Sequence, residues 1–125
     1  MTDAGPAEQA TRTPYYVVFD VDVRDAARYG EYMAYVMPQI EAAGGRYLAR
    51  GGPHTVYEGD WTPYRLVLLA FPSREAFEGF YYSPAYQGLH ALRDEVSYAR
   101  MVGVEGLPSP GAAAATTLAP APETG

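Results

Sequence analysis

The sequence contains neither cysteine nor lysine, and both absences narrow the possible chemistry. Without cysteine, the chain has no disulfide, no thiolate metal site and no cysteine nucleophile. Without lysine, it has no Schiff-base amine and no phosphate site built on an ammonium group. All 9 basic residues are arginine, and the net charge of −6 argues against a nucleic-acid partner, because nucleic acids attract clustered positive charge.

Long apolar runs and common ligand motifs are also missing. No run of about 18 apolar residues occurs, so we expect no membrane partner, and the absence of a signal-peptide pattern favours a cytoplasmic protein. No glycine-rich phosphate loop precedes a predicted helix, and no serine lies in a nucleophile-elbow motif. With 2 histidines and few acidic residues at ligand spacing, we predict no cofactor and no metal site.

Patterned sequence is confined to the middle of the chain. Residues 1–12 and 107–125 are rich in Ala, Pro, Thr, Ser and Gly and have no apolar periodicity, so we predict disordered terminal segments there. Residues 13–106 are enough for one modest core and are predicted to form a single domain.

The middle of the chain predicts alternating strands and helices. Strands are predicted at 15–23, 46–50, 65–71 and 98–104, helices at 26–43, 74–81 and 84–95, and a short hairpin arm at 55–58. This βαββαβ order predicts an α+β, ferredoxin-like fold, in which helices cover one face of a four-stranded antiparallel sheet. The bare face needs a partner, and a homodimer would pair two such sheets into a dimeric α/β barrel.

Two glycine pairs, Gly44–Gly45 and Gly51–Gly52, bracket the second predicted strand. The first pair is suited to ending a helix, because glycine reaches positive φ without steric cost. The second can turn the strand or let a ligand approach the backbone closely. Arg50, beside this bare backbone, is therefore a candidate anion-binding residue. The alternative is a plain hairpin with a surface salt bridge.

Several motifs in order resemble one family. The resemblance covers residues 14–106, and the motifs that carry it are Gly44-Gly45-Arg46, Ala49-Arg50-Gly51-Gly52, Glu58-Gly59-Asp60-Trp61, Phe71-Pro72-Ser73, Tyr82-Ser83-Pro84-Ala85-Tyr86, Leu92-Arg93 and Val104-Glu105-Gly106. The chain is similar to the domain-of-unknown-function 1330 family within the dimeric α/β-barrel superfamily. The resemblance implies the fold and a homodimer but no activity. The wider superfamily includes cofactor-free monooxygenases, lactone isomerases, polyketide cyclases and haem enzymes.

Four residues are the predicted catalytic set: His54, Asp20, His90 and Arg50. A neutral imidazole is a suitable general base near neutral pH, and Asp20 is expected to point away from the helices, with Arg50 or Arg65 as its partner. Each residue also has a plainer interpretation. His54 would be an exposed loop histidine, His90 part of a helix-surface row, and Asp20 half of an ion pair that fixes the dimer.

Tyrosines and arginines are the predicted substrate-binding residues, namely Tyr16, Tyr82, Tyr86, Arg65, Arg93 and Arg100. The 12 tyrosines can supply flat apolar walls with polar tips, which suit an aromatic or polyene ligand. The sequence therefore predicts a cofactor-free cyclase, isomerase or dehydratase acting on a carbonyl-bearing secondary metabolite such as a polyketide. A non-catalytic dimeric binding protein and a cofactor-free monooxygenase are the alternatives.

Overall fold

The computed structural model of the chain describes residues 13–108. The predicted terminal segments lie outside these residues, apart from Leu107 and Pro108. Within the described part the elements are β1 (Tyr15–Val23), α1 (Ala26–Ala42), β2 (Arg46–Arg50), β3 (Leu66–Phe71), α2 (Arg74–Tyr81), α3 (Pro84–Val96) and β4 (Ser97–Glu105). None of the helices in this part is both long and apolar enough to cross a membrane.

The four strands form one antiparallel sheet in the order β2-β3-β1-β4. In the centre of the sheet, Asp20 of β1 is opposite Leu66 of β3 on one side and Arg100 of β4 on the other. This order confirms the ferredoxin-like α+β fold that the sequence predicts.

Short polar side chains begin the helices as the sequence indicates. Asp25 accepts a hydrogen bond from the Arg28 amide at 3.1 Å and caps α1. Ser73 and Ser83 do the same for α2 and α3, and Pro84 takes the first position of α3, where its missing N–H costs nothing. The glycine that follows α1, Gly44, has φ +84°, which ends the helix and directs the chain into β2.

The two faces of the sheet have different surroundings. Alternation along β1 places Val17, Phe19 and Val21 against the helices, where all three are buried. On the opposite face no described helix covers the sheet, and Tyr98, Val102 and Val104 of β4 are each more than half exposed. We call this second surface the open face.

The segment between β2 and β3, residues 51–65, is an irregular loop. The hairpin arm predicted at 55–58 is wrong, because those residues pair with no strand. Hydrogen bonds to side chains hold the loop instead. Trp61 and the Tyr64 amide donate to Asp20 of β1, and the His54 ring contacts the Pro63 carbonyl oxygen within the loop.

Candidate functional site

A chain of polar side chains crosses the interface between α1, α3 and the sheet. Tyr86, His90 and Arg93 lie one turn apart on α3, so they share one helix face. The Tyr86 hydroxyl lies 3.1 Å from the Tyr32 hydroxyl of α1 and accepts a hydrogen bond from Arg93 Nη1 at 3.1 Å. We call Tyr32, Tyr81, Tyr86, His90 and Arg93 the tyrosine–arginine cluster.

Arg93 is the most unusual member of the cluster, because its guanidinium is buried and its Nε has no hydrogen-bond partner. Its central carbon lies 5.2 Å from the centre of the Phe19 ring. The nearest carboxylate is that of Asp94, 3.6 Å from Nη2 and well exposed to solvent. A buried cation without a close buried anion costs free energy, so a position like this often marks a binding site.

His90 lies between Arg93 and Asp94. Its Nδ1 is 3.1 Å from Asp94 Oδ2, and its Nε2 is 3.1 Å from Arg93 Nη2 and 3.5 Å from the Tyr81 hydroxyl. A guanidinium has only donors, so Nε2 accepts and the ring proton of the neutral imidazole sits on Nδ1. The Nε2 lone pair of His90 is therefore directed at Arg93, and its Nδ1–H is directed at Asp94.

The two buried phenols of the cluster, Tyr32 and Tyr86, stay protonated at neutral pH. Burial raises the pKa of Tyr86, although the Arg93 charge opposes this effect. Burial also raises the pKa of Tyr32, and it raises the pKa of the neighbouring Tyr29 to about 12.

The positive charge of Arg93 is kept as well. Burial alone lowers the pKa of Arg93, but its attraction to Tyr86, Tyr32 and Asp94 raises that pKa overall. The cluster thus presents neutral hydroxyl donors beside a fixed cation.

A small cavity adjoins the cluster between the helices and the sheet. Its volume is about 30 Å³, and its wall includes the rings of Tyr29, Tyr32, Tyr47 and Tyr86 together with aliphatic side chains. A space of this size holds one or two waters. Binding a metabolite here therefore requires wall side chains to move, and the unbranched Met33 and Met101 are the most adaptable of them.

Arg50 does not lie against the glycine backbone, which corrects the expectation from the sequence. Its Nη1 is 3.7 Å from Met37 Sδ, and its guanidinium carbon is 4.8 Å from the Tyr47 ring centre. The bare backbone of Gly51 faces Arg65 instead, and a Cβ at position 51 would lie 2.9 Å from Arg65 Nε. The reason is register, because Arg65 continues the helix-facing alternation of β3 past Val67.

Asp20 points to the open face, as alternation predicts, and is 4% exposed. Its carboxylate accepts from the Tyr64 amide at 2.8 Å, Trp61 Nε1 at 3.1 Å and Arg100 Nη2 at 3.3 Å. Burial alone raises the pKa of Asp20, but these hydrogen bonds and one from the Arg65 amide lower it overall. The expected side-chain partners, Arg50 and Arg65, were wrong, because Arg65 offers only its amide, at 3.4 Å, and Arg50 packs elsewhere.

The open face carries its own groove of about 620 Å³ beside Asp20, Trp61 and Arg100. His54 lies on the adjoining loop, exposed, with Nε2 3.1 Å from the Pro63 carbonyl oxygen. The predicted catalytic residues therefore divide between two regions. Asp20 and His54 belong to the loop and the open face, and His90 belongs to the opposite side of the sheet.

Two of the predicted substrate-binding tyrosines lie outside the cluster. Tyr82 is 68% exposed and contacts Tyr81 edge to face. The Tyr16 ring packs on Gly106 at the end of β4. Three residues of this region were not predicted as site residues. They are the cluster members Tyr32 and Tyr81, and Asp94, which contacts His90. The spacing of His90 and Asp94, four apart on a helix, was the available signal for Asp94.

Comparison with known proteins agrees with this architecture. Two structures of the Rhodopseudomonas palustris protein RPA0582 cover 86% of this chain, and each is 18% identical to it in sequence. They match at TM-scores of 0.64 over 93% of the methylated protein and 0.62 over 95% of the other. SnoaB of Streptomyces nogalater, a cofactor-independent oxygenase, matches at TM-score 0.48 with 14% identity, over 76% of this chain and 92% of its own. No curated protein matches.

A family model described as "Domain of unknown function (DUF1330)" matches residues 14–107. That span contains the whole sheet, all three helices and every residue of the tyrosine–arginine cluster. The chain belongs to the DUF1330 family.

Proposed function

We propose that the chain is an enzyme that moves protons on a small carbonyl-bearing metabolite, using side chains of the tyrosine–arginine cluster and Asp94. The observation that carries the proposal is the buried Arg93 guanidinium, whose Nε lacks a partner beside the neutral Tyr86 hydroxyl. A cation and a phenol that converge in a water-poor space stabilise negative charge developing on a substrate oxygen. An enolate oxygen is such a group.

The first step is binding of the carbonyl oxygen. Arg93 and Tyr86 both donate hydrogen bonds to this oxygen. Tyr86 can do so because it accepts the hydrogen bond from Arg93 and keeps its own hydroxyl proton for the substrate. When the guanidinium turns to the substrate, its hydrogen bond to His90 Nε2 is released. Substrate binding thereby frees the lone pair of the base.

The second step is proton transfer from the α-carbon to His90 Nε2. The C–H bonding pair moves into the adjacent C–C bond while the carbonyl π pair moves onto oxygen, giving an enolate held by Arg93 and Tyr86. Asp94 stabilises the imidazolium through Nδ1. Return of the proton at another carbon gives isomerisation, departure of a β-hydroxyl as water gives dehydration, and attack of the enolate carbon on a second carbonyl gives cyclisation.

The aromatic wall of the neighbouring cavity favours an aromatic or polyene substrate, such as a polyketide of secondary metabolism. Tyr29, Tyr32, Tyr47 and Tyr86 all line that cavity and would pack flat against such a ligand.

A second copy of the chain is the proposed partner of the open face. Tyr98, Val102 and Val104 form an exposed apolar stripe along β4, and Trp61 extends it from the loop. A sheet face of this composition is stabilised by burial against an equally apolar surface, and a twofold axis supplies one. The tyrosine–arginine cluster lies on the other side of the sheet, so each subunit would hold a complete site.

Non-catalytic binding is the second candidate, because both ring nitrogens of His90 already have partners. A protein that only sequesters a metabolite needs the guanidinium and the phenols but no free base. The two functions differ in one measurable property, which is exchange of the α-protons of a bound ketone.

The test is deuterium incorporation at the α-carbon of phenylacetone in D₂O, followed by NMR. We expect the wild-type chain to accelerate exchange and His90→Gln to lose about 100-fold of that acceleration. Tyr86→Phe removes one donor to the enolate and should lose about tenfold or more.

The matched comparison is His54→Gln, which changes the other histidine and should retain exchange. If His54→Gln abolishes exchange and His90→Gln does not, the assignment of the base is wrong. If phenylacetone binds and no exchange occurs, the non-catalytic function is favoured.

A further inference from the structure

Two buried side-chain nitrogens in residues 13–108 have no hydrogen-bond partner, and both belong to arginines. One is Arg93 Nε, which the proposed reaction uses. The other is Arg65 Nη1, which it does not use. Buried donors are almost always satisfied in folded proteins, so a second orphan of the same kind requires its own explanation.

Both guanidinium groups belong to the helix-facing side of the sheet. Arg93 lies over Phe19 of β1, and Arg65 precedes β3 in register with the buried Val67 and Leu69. The charges of both arginines act on one buried phenol, since each opposes the rise in the pKa of Tyr29 that burial causes. Tyr29 also forms part of the cavity wall beside the cluster. Geometry gives the same placement, because Val67, the next helix-facing residue after Arg65 along β3, lines this cavity.

The surroundings of Arg65 leave its charge without an anion. None of the acidic side chains between residues 13 and 108 forms a salt bridge with Arg65. Gly51, at φ +74°, presents no side chain to the guanidinium, because an added Cβ would lie 2.9 Å from Arg65 Nε. The Gly51 amide is already committed to the Leu66 carbonyl oxygen at 2.8 Å, which fixes the turn. Arg65 Nη1 therefore remains a buried donor without a partner.

We propose that Arg65 is a second anion-binding residue of the same site, and that the natural ligand carries a carboxylate at the end opposite its reacting carbonyl. This inference rests on the proposed function for the position of the carbonyl, on Arg93. The apolar body of the ligand would lie along Tyr29 and Tyr47, which line the cavity. A planar guanidinium recognises a carboxylate through two parallel hydrogen bonds. Arg65 would therefore bind the carboxylate of the ligand, while Arg93 binds its carbonyl oxygen.

The probes are two derivatives of phenylacetone that differ only at the para position, 4-(2-oxopropyl)benzoate and its neutral amide, 4-(2-oxopropyl)benzamide. Affinities are measured by titration calorimetry with the full chain. We expect the wild type to bind the benzoate about tenfold or more tightly than the benzamide, because a charge-assisted pair at a buried site contributes at least this much.

Arg65→Met retains the length of the side chain and removes its charge. It should abolish the preference for the benzoate while leaving the affinity for the benzamide unchanged, which also shows that the variant is folded. Arg50→Met is the matched control, because Arg50 is an exposed arginine of the neighbouring strand that stacks on Tyr47. It should keep the preference.

The inference is overturned if the wild type binds the two probes equally or binds neither, or if Arg65→Met keeps the preference. These outcomes are distinct from failure of the proposed function. Exchange of phenylacetone without a benzoate preference refutes only the role of Arg65. An Arg65-dependent preference without exchange refutes only catalysis and leaves the anion site in place.

Discussion

Asp20 and Arg93 are the two charged side chains that the described part of the chain buries, and their surroundings differ. Asp20 accepts hydrogen bonds from two amides, an indole and a guanidinium, so its charge is compensated inside the fold. Arg93 keeps an unsatisfied Nε and has only an exposed carboxylate nearby. The first arrangement stabilises the loop on the open face, and the second is the arrangement expected of a ligand site.

Asp20→Asn should destabilise the chain at neutral pH by about 1–3 kcal/mol, because the new amide group would place donors against Trp61 Nε1 or Arg100. The folded-state pKa of Asp20 is lowered, so its contribution is present above the unfolded pKa and is lost as pH falls through the folded pKa. The wild type should therefore lose stability below about pH 4, and the variant should lose less.

Urea unfolding at several pH values between neutrality and strong acid measures this effect. Asp22→Asn is the matched control, two residues along the same strand, where the carboxylate pairs with the exposed Arg24 at 2.9 Å. A surface pair of this kind contributes at most about 1 kcal/mol. Equal losses for the two variants would show that the Asp20 hydrogen bonds do not hold the loop.

Alternation in β1 is enough to predict the orientation of Asp20, because the side chains of a strand point to alternate faces. Its partners were not predictable in the same way. Trp61 and Tyr64 reach it from an irregular loop whose path no local periodicity specifies. The predicted position of Arg50 was wrong for a related reason, since β2 carries a register shift between Tyr47 and Ala49. A single bulge is enough to change which side chains share a face.

The helices and strands, in contrast to the loop, were predictable almost to the residue. Apolar periodicity and the Asp25, Ser73 and Ser83 caps are local signals that need no knowledge of the tertiary structure. The loop at residues 51–65 depends on particular long-range contacts and on the backbone freedom of two glycines with positive φ, Gly51 and Gly59. Its stability should therefore respond sharply to backbone substitutions.

Gly51→Ala should destabilise the chain by about 1–2 kcal/mol from its left-handed backbone alone. A further cost arises because the added Cβ would lie 2.9 Å from Arg65 Nε. Gly59→Ala shares the positive φ but has no atom near its new Cβ, so it should show the backbone cost alone. Gly52→Ala has neither problem and should stay within about 0.5 kcal/mol of the wild type.

Urea midpoints of the three variants test this order. If Gly51→Ala and Gly59→Ala unfold at the same midpoint, the contact between Gly51 and Arg65 does not constrain the turn. The same preparations can be titrated with 4-(2-oxopropyl)benzoate, because displacement of the Arg65 guanidinium should weaken its binding in Gly51→Ala only.

At the scale of the whole molecule, the sheet separates two surfaces of different kinds. The helix-facing side contains the buried cluster and its cavity, whereas the open face exposes apolar side chains that no described element covers. The open face is the surface through which the proposed homodimer would form. Sequence order alone could predict which face is bare, because both crossover connections place their helices on the same side of the sheet.

The wild-type chain should therefore have the mass of a dimer in light scattering at micromolar concentration. Val102→Glu should shift it toward the monomer, because Val102 is 61% exposed at the centre of the apolar stripe and a carboxylate there would be buried in the proposed interface. Tyr35→Glu is the matched control. Tyr35 is 64% exposed, but it lies on α1, on the other side of the sheet, so its substitution should leave the dimer intact. A wild type that scatters as a compact monomer, or a dimer lost in Tyr35→Glu and kept in Val102→Glu, would mean that the subunits do not associate through the open face.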